Sequence, residues 1–117
     1  MVTDEFLQNR LVRHNKMSLR LSRQYGILNP PTVEILPHSR CGKCCIIGFY
    51  SRNDNKIYIN KHYLGCVNML KQYREILKHE LMHAVSYQRL GIGGHGKHFK
   101  DICKEFDLAR CATARCN

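Results

Sequence analysis

The sequence is short of acid. Only 9 Asp and Glu stand against 19 Lys and Arg, a formal net charge of +10 over 117 residues. Such an excess points to an anionic partner, with nucleic acid the first candidate and an anionic membrane surface the second. Long hydrophobic runs are also missing. The longest spans residues 44–50, far below the roughly 18 residues of a spanning helix, so no membrane span is expected. A secretory leader is not evident either: Asp4 and Glu5 put acid where a leader carries base, and no long apolar stretch follows. A cytoplasmic protein is expected. Internal repeats and low-complexity segments are absent, and the nearest thing to a linker is Asn29-Pro30-Pro31. Residues 1–117 therefore read as one small domain, and nothing calls for more than a monomer. With 44% hydrophobic and 24% charged residues, a soluble globular chain is indicated rather than a disordered or collagen-like one.

The elements follow from periodicity. Residues 4–25 read as a helix capped by Thr3 or Asp4. Leu7, Leu11, Met17, Leu21 and Tyr25 gather on one side, and Arg10, Arg13, Lys16, Arg20 and Arg23 form a basic stripe beside them. That stripe suits phosphates, or is simply a solvated face. Strands are expected at 32–36, 45–51 and 56–60, the last two joined as a hairpin through Arg52-Asn53-Asp54-Asn55. Residues 65–90 read as a long helix carrying Met69, Leu70, Tyr73, Ile76, Leu77, Leu81, Ala84 and Val85 at helical spacing, stopped by Gly91-Ile92-Gly93-Gly94. A last helix is expected at 96–107, with Phe99, Ile102, Cys103 and Phe106 on one face. The order predicts an α+β fold in which a small three-stranded sheet covers a helical pair.

The chemistry sits in His79-Glu80-Leu81-Met82-His83, an H-E-x-x-H pattern. Two histidines four apart lie about 40° apart on a helix face, so both imidazoles can grip one zinc ion. Glu80 is then placed to take the proton of a water attacking a carbonyl. Ile76 and Leu77 before the motif, and Ala84 and Val85 after it, mark a partly buried helix, where three polar side chains without a shared purpose would be costly. A third ligand is needed. The compact H-E-x-x-H-x-x-G-x-x-H pattern would require histidine at position 89, which is Arg89. His95, freed by its flanking glycines to turn back towards the metal, is favoured; His98, Asp101 and Glu105 (the last giving a glutamate-type, gluzincin site) are its competitors.

The seven cysteines are odd in number and dense, which in a reducing compartment means thiols or metal ligands. The knuckle Cys41-Gly42-Lys43-Cys44 and the pair Cys111 and Cys116 would together make a four-thiolate structural zinc site tying the tail to the strand region. Independent thiols are the alternative. Cys66 and Cys103 read as core residues on helices.

His79-Glu80-Leu81-Met82-His83-Ala84, followed after a short gap by Gly94-His95-Gly96-Lys97-His98-Phe99, resembles the SprT-like (Spartan-type) zinc metalloproteases over about residues 65–107. The resemblance implies a minimal zincin-like domain, with zinc on His79, His83 and His95 and Glu80 as catalytic base. It also implies an endopeptidase acting on DNA-associated or DNA-crosslinked proteins. Many relatives carry a zinc ribbon after the catalytic domain. None is expected before Asn117, so DNA would meet the catalytic domain itself, on the basic first helix. Such a minimal chain also suits a phage or mobile element, acting in the host cytoplasm or nucleoid on some other protein. Strand 56–60 is the candidate to pair with an extended substrate. Two rival readings are a basic DNA-binding module with a structural metal, and a small regulatory metalloprotease cleaving a repressor independently of DNA.

Overall fold

The computed structural model describes residues 3–36, 48–64 and 70–108. The element order is α1 (Asp4–Gln24), β1 (Thr32–Leu36), β2 (Gly48–Ser51), β3 (Lys56–Asn60), α2 (Lys61–Leu64), α3 (Leu70–Leu90) and α4 (Lys97–Glu105). This is the expected α+β order, with a single turn of helix, α2, added directly after the third strand. Residues 45–47 of the expected second strand and 65–69 of the expected long helix lie outside the described residues. So do Cys41, Cys44, Cys45, Cys66, Cys111 and Cys116, and with them the four-thiolate site. Cys103 is buried, as its apolar helix face predicts.

Thr3 starts α1: its Oγ1 accepts the Phe6 N–H at 3.1 Å, and Asp4 and Glu5 favour the positive end of the helix dipole. The buried face comprises Leu7, Arg10, His14, Ser18, Leu21 and Ser22. Leu7 and Leu21 enter the core as expected, while Leu11 and Met17 pack against it only in part. Arg10 departs from the expected basic stripe. It is 6% exposed, donates from Nη1 to the Leu64 carbonyl at 3.3 Å and lies 4.8 Å over the Phe6 ring. At helical spacing Arg10 falls on the edge of the buried face, so its guanidinium serves α2 rather than solvent. Arg13, Lys16, Arg20 and Arg23 remain exposed.

The sheet order is β1-β3-β2. β3 pairs parallel with β1, Val33 opposite Ile57, and antiparallel with β2, Phe49 opposite Tyr58. The expected hairpin is therefore present. Residues 56–60, however, form the central strand, with Ile57 and Ile59 fully buried. Both of its edges are used by neighbours, so it has no free edge for a substrate; among the described residues β1 and β2 are the edge strands. Asn15 of α1 fastens one of them, its Oδ1 accepting from Val33 N at 2.8 Å and its Nδ2 donating to Val33 O at 3.0 Å. The core lies between this sheet and α3, whose Tyr73, Ile76, Leu77, Leu81, Met82 and Val85 are buried. α4 closes the other side of α3 through Phe99, Ile102 and Cys103.

Candidate metal centre

α3 carries His79 and Glu80, both fully buried, and His83, half-buried. The helix ends where the Gly91 N–H reaches the Tyr87 carbonyl at 2.7 Å, with Gly91 at φ 69°. This is a left-handed stop that glycine adopts without strain. Ser86 Oγ then holds the loop by donating to Ile92 O at 2.9 Å, and Gly94 at φ 85° turns the chain back over the helix. That reversal delivers His95. Its Nε2 lies 3.2 Å from His79 Nε2 and 3.0 Å from His83 Nε2.

Three imidazole nitrogens so close have little use for one another, because each neutral ring has one N–H to give. They suit a shared cation. Zinc–nitrogen bonds of about 2.0–2.1 Å in tetrahedral geometry separate ligand nitrogens by about 3.3–3.4 Å, close to the spacings found. The ligand atoms of all three histidines lie within 4.8 Å of one another. Phe99, fully buried, forms the floor, stacked on the His83 ring at 4.3 Å. Burial, together with the neighbouring His79, His95 and His98, pushes the His83 pKa down to about 3. The ring therefore stays neutral, the form that ligates metal.

Glu80 points to a cavity of about 250 Å³ lined by Tyr50, Arg52, Glu80, His83, Tyr87, Gly93, Gly94 and His95. Its Oε1 accepts the Tyr50 N–H from edge strand β2 at 3.0 Å, while Oε2, equally buried, has no hydrogen-bond partner among the described residues. Burial raises the carboxyl well above its ordinary range, and the Tyr50 bond opposes this only in part. A buried carboxylate oxygen with one partner missing is poised to hold a proton or a water.

The competitors for the third position have other duties. His98 Nε2 donates to the Gly93 carbonyl at 3.0 Å and so braces the loop bearing His95. Glu105 makes a two-pronged pair with Arg89 at 2.8 and 3.0 Å, which removes the glutamate-type site. Asp101 is exposed on α4. Sequence reasoning missed Tyr50, Arg52 and Tyr87. Tyr87 continues the stripe 79, 83, 87 along α3 and was legible there; Tyr50 of β2 and Arg52 in the turn after it meet the site only through the tertiary fold.

The profile of the SprT-like family matches residues 7–117. The chain belongs to the SprT-like family. No curated protein sequence matches it. Among solved structures, this SprT-like chain is similar to the metallopeptidase zymogen jannalysin of Methanocaldococcus jannaschii, with a TM-score of 0.56 at 14% identity over 80% of each chain. At that identity the likeness speaks for the fold, an α+β arrangement shared with a metallopeptidase.

Proposed function

We propose that this SprT-like protein is a zinc-dependent endopeptidase. The observation that carries the reading is the convergence of three Nε2 atoms beside a buried carboxyl whose second oxygen has no partner among the described residues. The donor set fits zinc: three imidazoles, with a cavity on the open side where a fourth ligand would stand. His79, His83 and His95 would hold the ion. When bound, it would supply a Lewis acid that polarises a carbonyl and makes water more acidic. Glu80 Oε2 would take the proton of the attacking water and pass it to the leaving amine, while Oε1 stays anchored on the Tyr50 N–H. A nearby cation favours the ionised carboxyl, countering the burial that raises its pKa.

The extended substrate would pair with the outer edge of β2, which borders the cavity at Tyr50, with Arg52 just past the strand's end. DNA-associated or DNA-crosslinked proteins are the proposed substrate class. The net charge of +10 and the exposed Arg13, Lys16, Arg20 and Arg23 on α1 support it. A structural metal in a DNA-binding module would need neither the open cavity nor Glu80.

The test is cleavage of a denatured protein by the zinc-loaded wild type and by Glu80→Gln, with and without DNA. The variant is expected to keep its zinc and lose activity by at least about 10²-fold, the usual share of a general base. Unimpaired cleavage by the variant would remove Glu80 as base, and an inactive zinc-loaded wild type would leave the structural-metal reading.

A further inference from the structure

The cavity beside the metal centre carries groups that water attack does not use. At about 250 Å³ it is smaller than the roughly 300–1,000 Å³ of a small-molecule pocket and has room for a side chain. Tyr50 and Tyr87 line it with aromatic rings, and Gly93 and Gly94 put no side chain into it. Among the described residues that line it, Arg52 is the only lysine or arginine. The Arg52 guanidinium stands 5.8 Å from the centroid of the Tyr87 ring, a cation–π contact that reaches from the hairpin turn to α3. The Tyr50 hydroxyl donates to Asn55 Oδ1 at 2.7 Å. Asn55 Nδ2 and Gln88 Nε2 of α3 both donate to the Asn29 carbonyl, at 3.0 and 2.9 Å, so the turn that carries Arg52 is tied to α3. Arg52 pairs with no carboxylate among the described residues. Arg89, by contrast, clamps Glu105 with two bonds. Asp54, two residues on from Arg52, accepts the Tyr58 hydroxyl at 2.6 Å.

An arginine without a carboxylate, set on a concave site, offers a planar fork of donors that fits one. Tyr87 follows His83 by four residues, about 6 Å along α3, and an extended chain advances about 3.4 Å per residue. A carboxylate that meets Arg52 therefore belongs to a residue one or two positions from the bond held at the metal centre. We propose that Arg52, braced on Tyr87, is a specificity-determining residue: it selects a carboxylate, the side chain of Asp or Glu, close to the scissile bond. The inference rests on the peptidase reading and adds the class of side chain that the site takes. A neutral residue in that place would leave the guanidinium unpaired, and a lysine would meet a like charge. The selection acts at one position, whichever protein presents it.

Internally quenched peptides of one sequence, blocked at both ends, test it, with Glu, Gln or Lys at each position flanking the cleaved bond. For the zinc-loaded wild type, kcat/KM of the best Glu peptide is expected to exceed that of its Gln counterpart by at least about tenfold, the effect of one charge-assisted pair. Arg52 is exposed, so its replacement spares the core. In Arg52→Gln the Glu-to-Gln ratio should vanish, and in Arg52→Glu the Lys peptide should be preferred to the Glu peptide. A general loss of activity does not move these ratios. The control Lys104→Gln removes the same charge from an exposed position on α4 and should keep the preference; an equal fall in both variants would reduce the effect to net charge and overturn the proposal. Cleavage without an acidic preference, or a preference that Arg52→Gln keeps, would overturn the subsite and leave the peptidase reading intact. A gain confined to peptides with a free C-terminal carboxylate would move the contact from a side chain to a chain end, and overturn it too. Binding gives a second readout. By fluorescence anisotropy, zinc-loaded Glu80→Gln should prefer the labelled Glu peptide by about tenfold, and Glu80→Gln/Arg52→Gln should not. Should the wild type cleave none of the peptides, the peptidase reading falls and this binding ratio still decides: a clear preference keeps Arg52 as a carboxylate-binding residue, and equal binding refutes it.

Discussion

Two histidines near the loop divide their labour by a few ångströms. His95 turns its Nε2 to His79 and His83, while His98, three residues on, gives its Nε2–H to Gly93 O at 3.0 Å. The roles predict different losses. His95→Ala is expected to lower the zinc content of dialysed protein from about one per chain towards none, because two imidazoles on one helix make an incomplete site. His98→Ala should retain the metal and lose only about 1 kcal/mol of loop bracing. Elemental analysis of the two variants separates them. Zinc retained by His95→Ala and lost by His98→Ala would exchange the assignments.

Edge strand β1 depends on one side chain of a helix. Asn15 offers Val33 an acceptor at 2.8 Å and a donor at 3.0 Å, serving β1 much as another strand would. Asn15→Ala removes both bonds and leaves Val33, 1% exposed, with backbone groups unpaired. The expected loss is about 1–3 kcal/mol in urea unfolding, with faster amide exchange confined to β1. A loss below about 0.5 kcal/mol would show that water replaces the amide. On the opposite edge, Tyr50 directs its N–H away from β3 to Glu80, so the hairpin is joined to α3 by the group that orients the Glu80 carboxyl. Tilting β2 would therefore be felt at Glu80 before it was felt in the core.

For the whole molecule, pH and metal act on the same fold at different places. His14 is buried on the inner face of α1, with Nδ1–H donating to Arg10 O at 2.7 Å and its ring edge-on to Tyr73 at 4.7 Å. Burial lowers its pKa below 6.5, with the positive charges of Arg10 and Arg13 adding to the effect and the Arg10 carbonyl bond opposing it. The native state therefore binds fewer protons than the unfolded chain once pH drops below about 6.5. The stability His14 contributes is present above that value and declines on acidification, with a limiting slope of about 1.4 kcal/mol per pH unit per proton. Between pH 7 and 5 the wild type should lose more stability than His14→Gln when both are zinc-loaded; parallel curves would exclude His14. Metal removal is the second lever. Zinc that binds the native state alone adds about 4 kcal/mol at a thousandfold excess over its Kd. A chelator should therefore lower the melting temperature by many degrees in the wild type and far less in His95→Ala. An unchanged wild-type melt would mean that no zinc was held.

The order of the elements other than α2, the strand limits at 32–36 and 56–60, the hairpin and the faces of the two C-terminal helices were determined by the sequence alone. Each follows from local periodicity, caps and turn residues, which act over a few positions. The pairing of His79 with His83 was legible for the same reason, being a spacing on one helix. His95 was readable as a candidate because glycines on both sides announce a reversal, and only the fold set His98 and Glu105 aside by occupying them elsewhere. Three matters lay wholly with tertiary structure. Arg10 left the basic stripe because α2 brought it a carbonyl. Strand 56–60 became central because β1, distant in sequence, pairs with it in parallel, and strand order is a non-local choice among nearly equivalent edges. Tyr50 reached Glu80 across 30 residues. Contacts between segments far apart in the chain depend on packing energies summed over the whole core, and a single sequence exposes no local pattern for them.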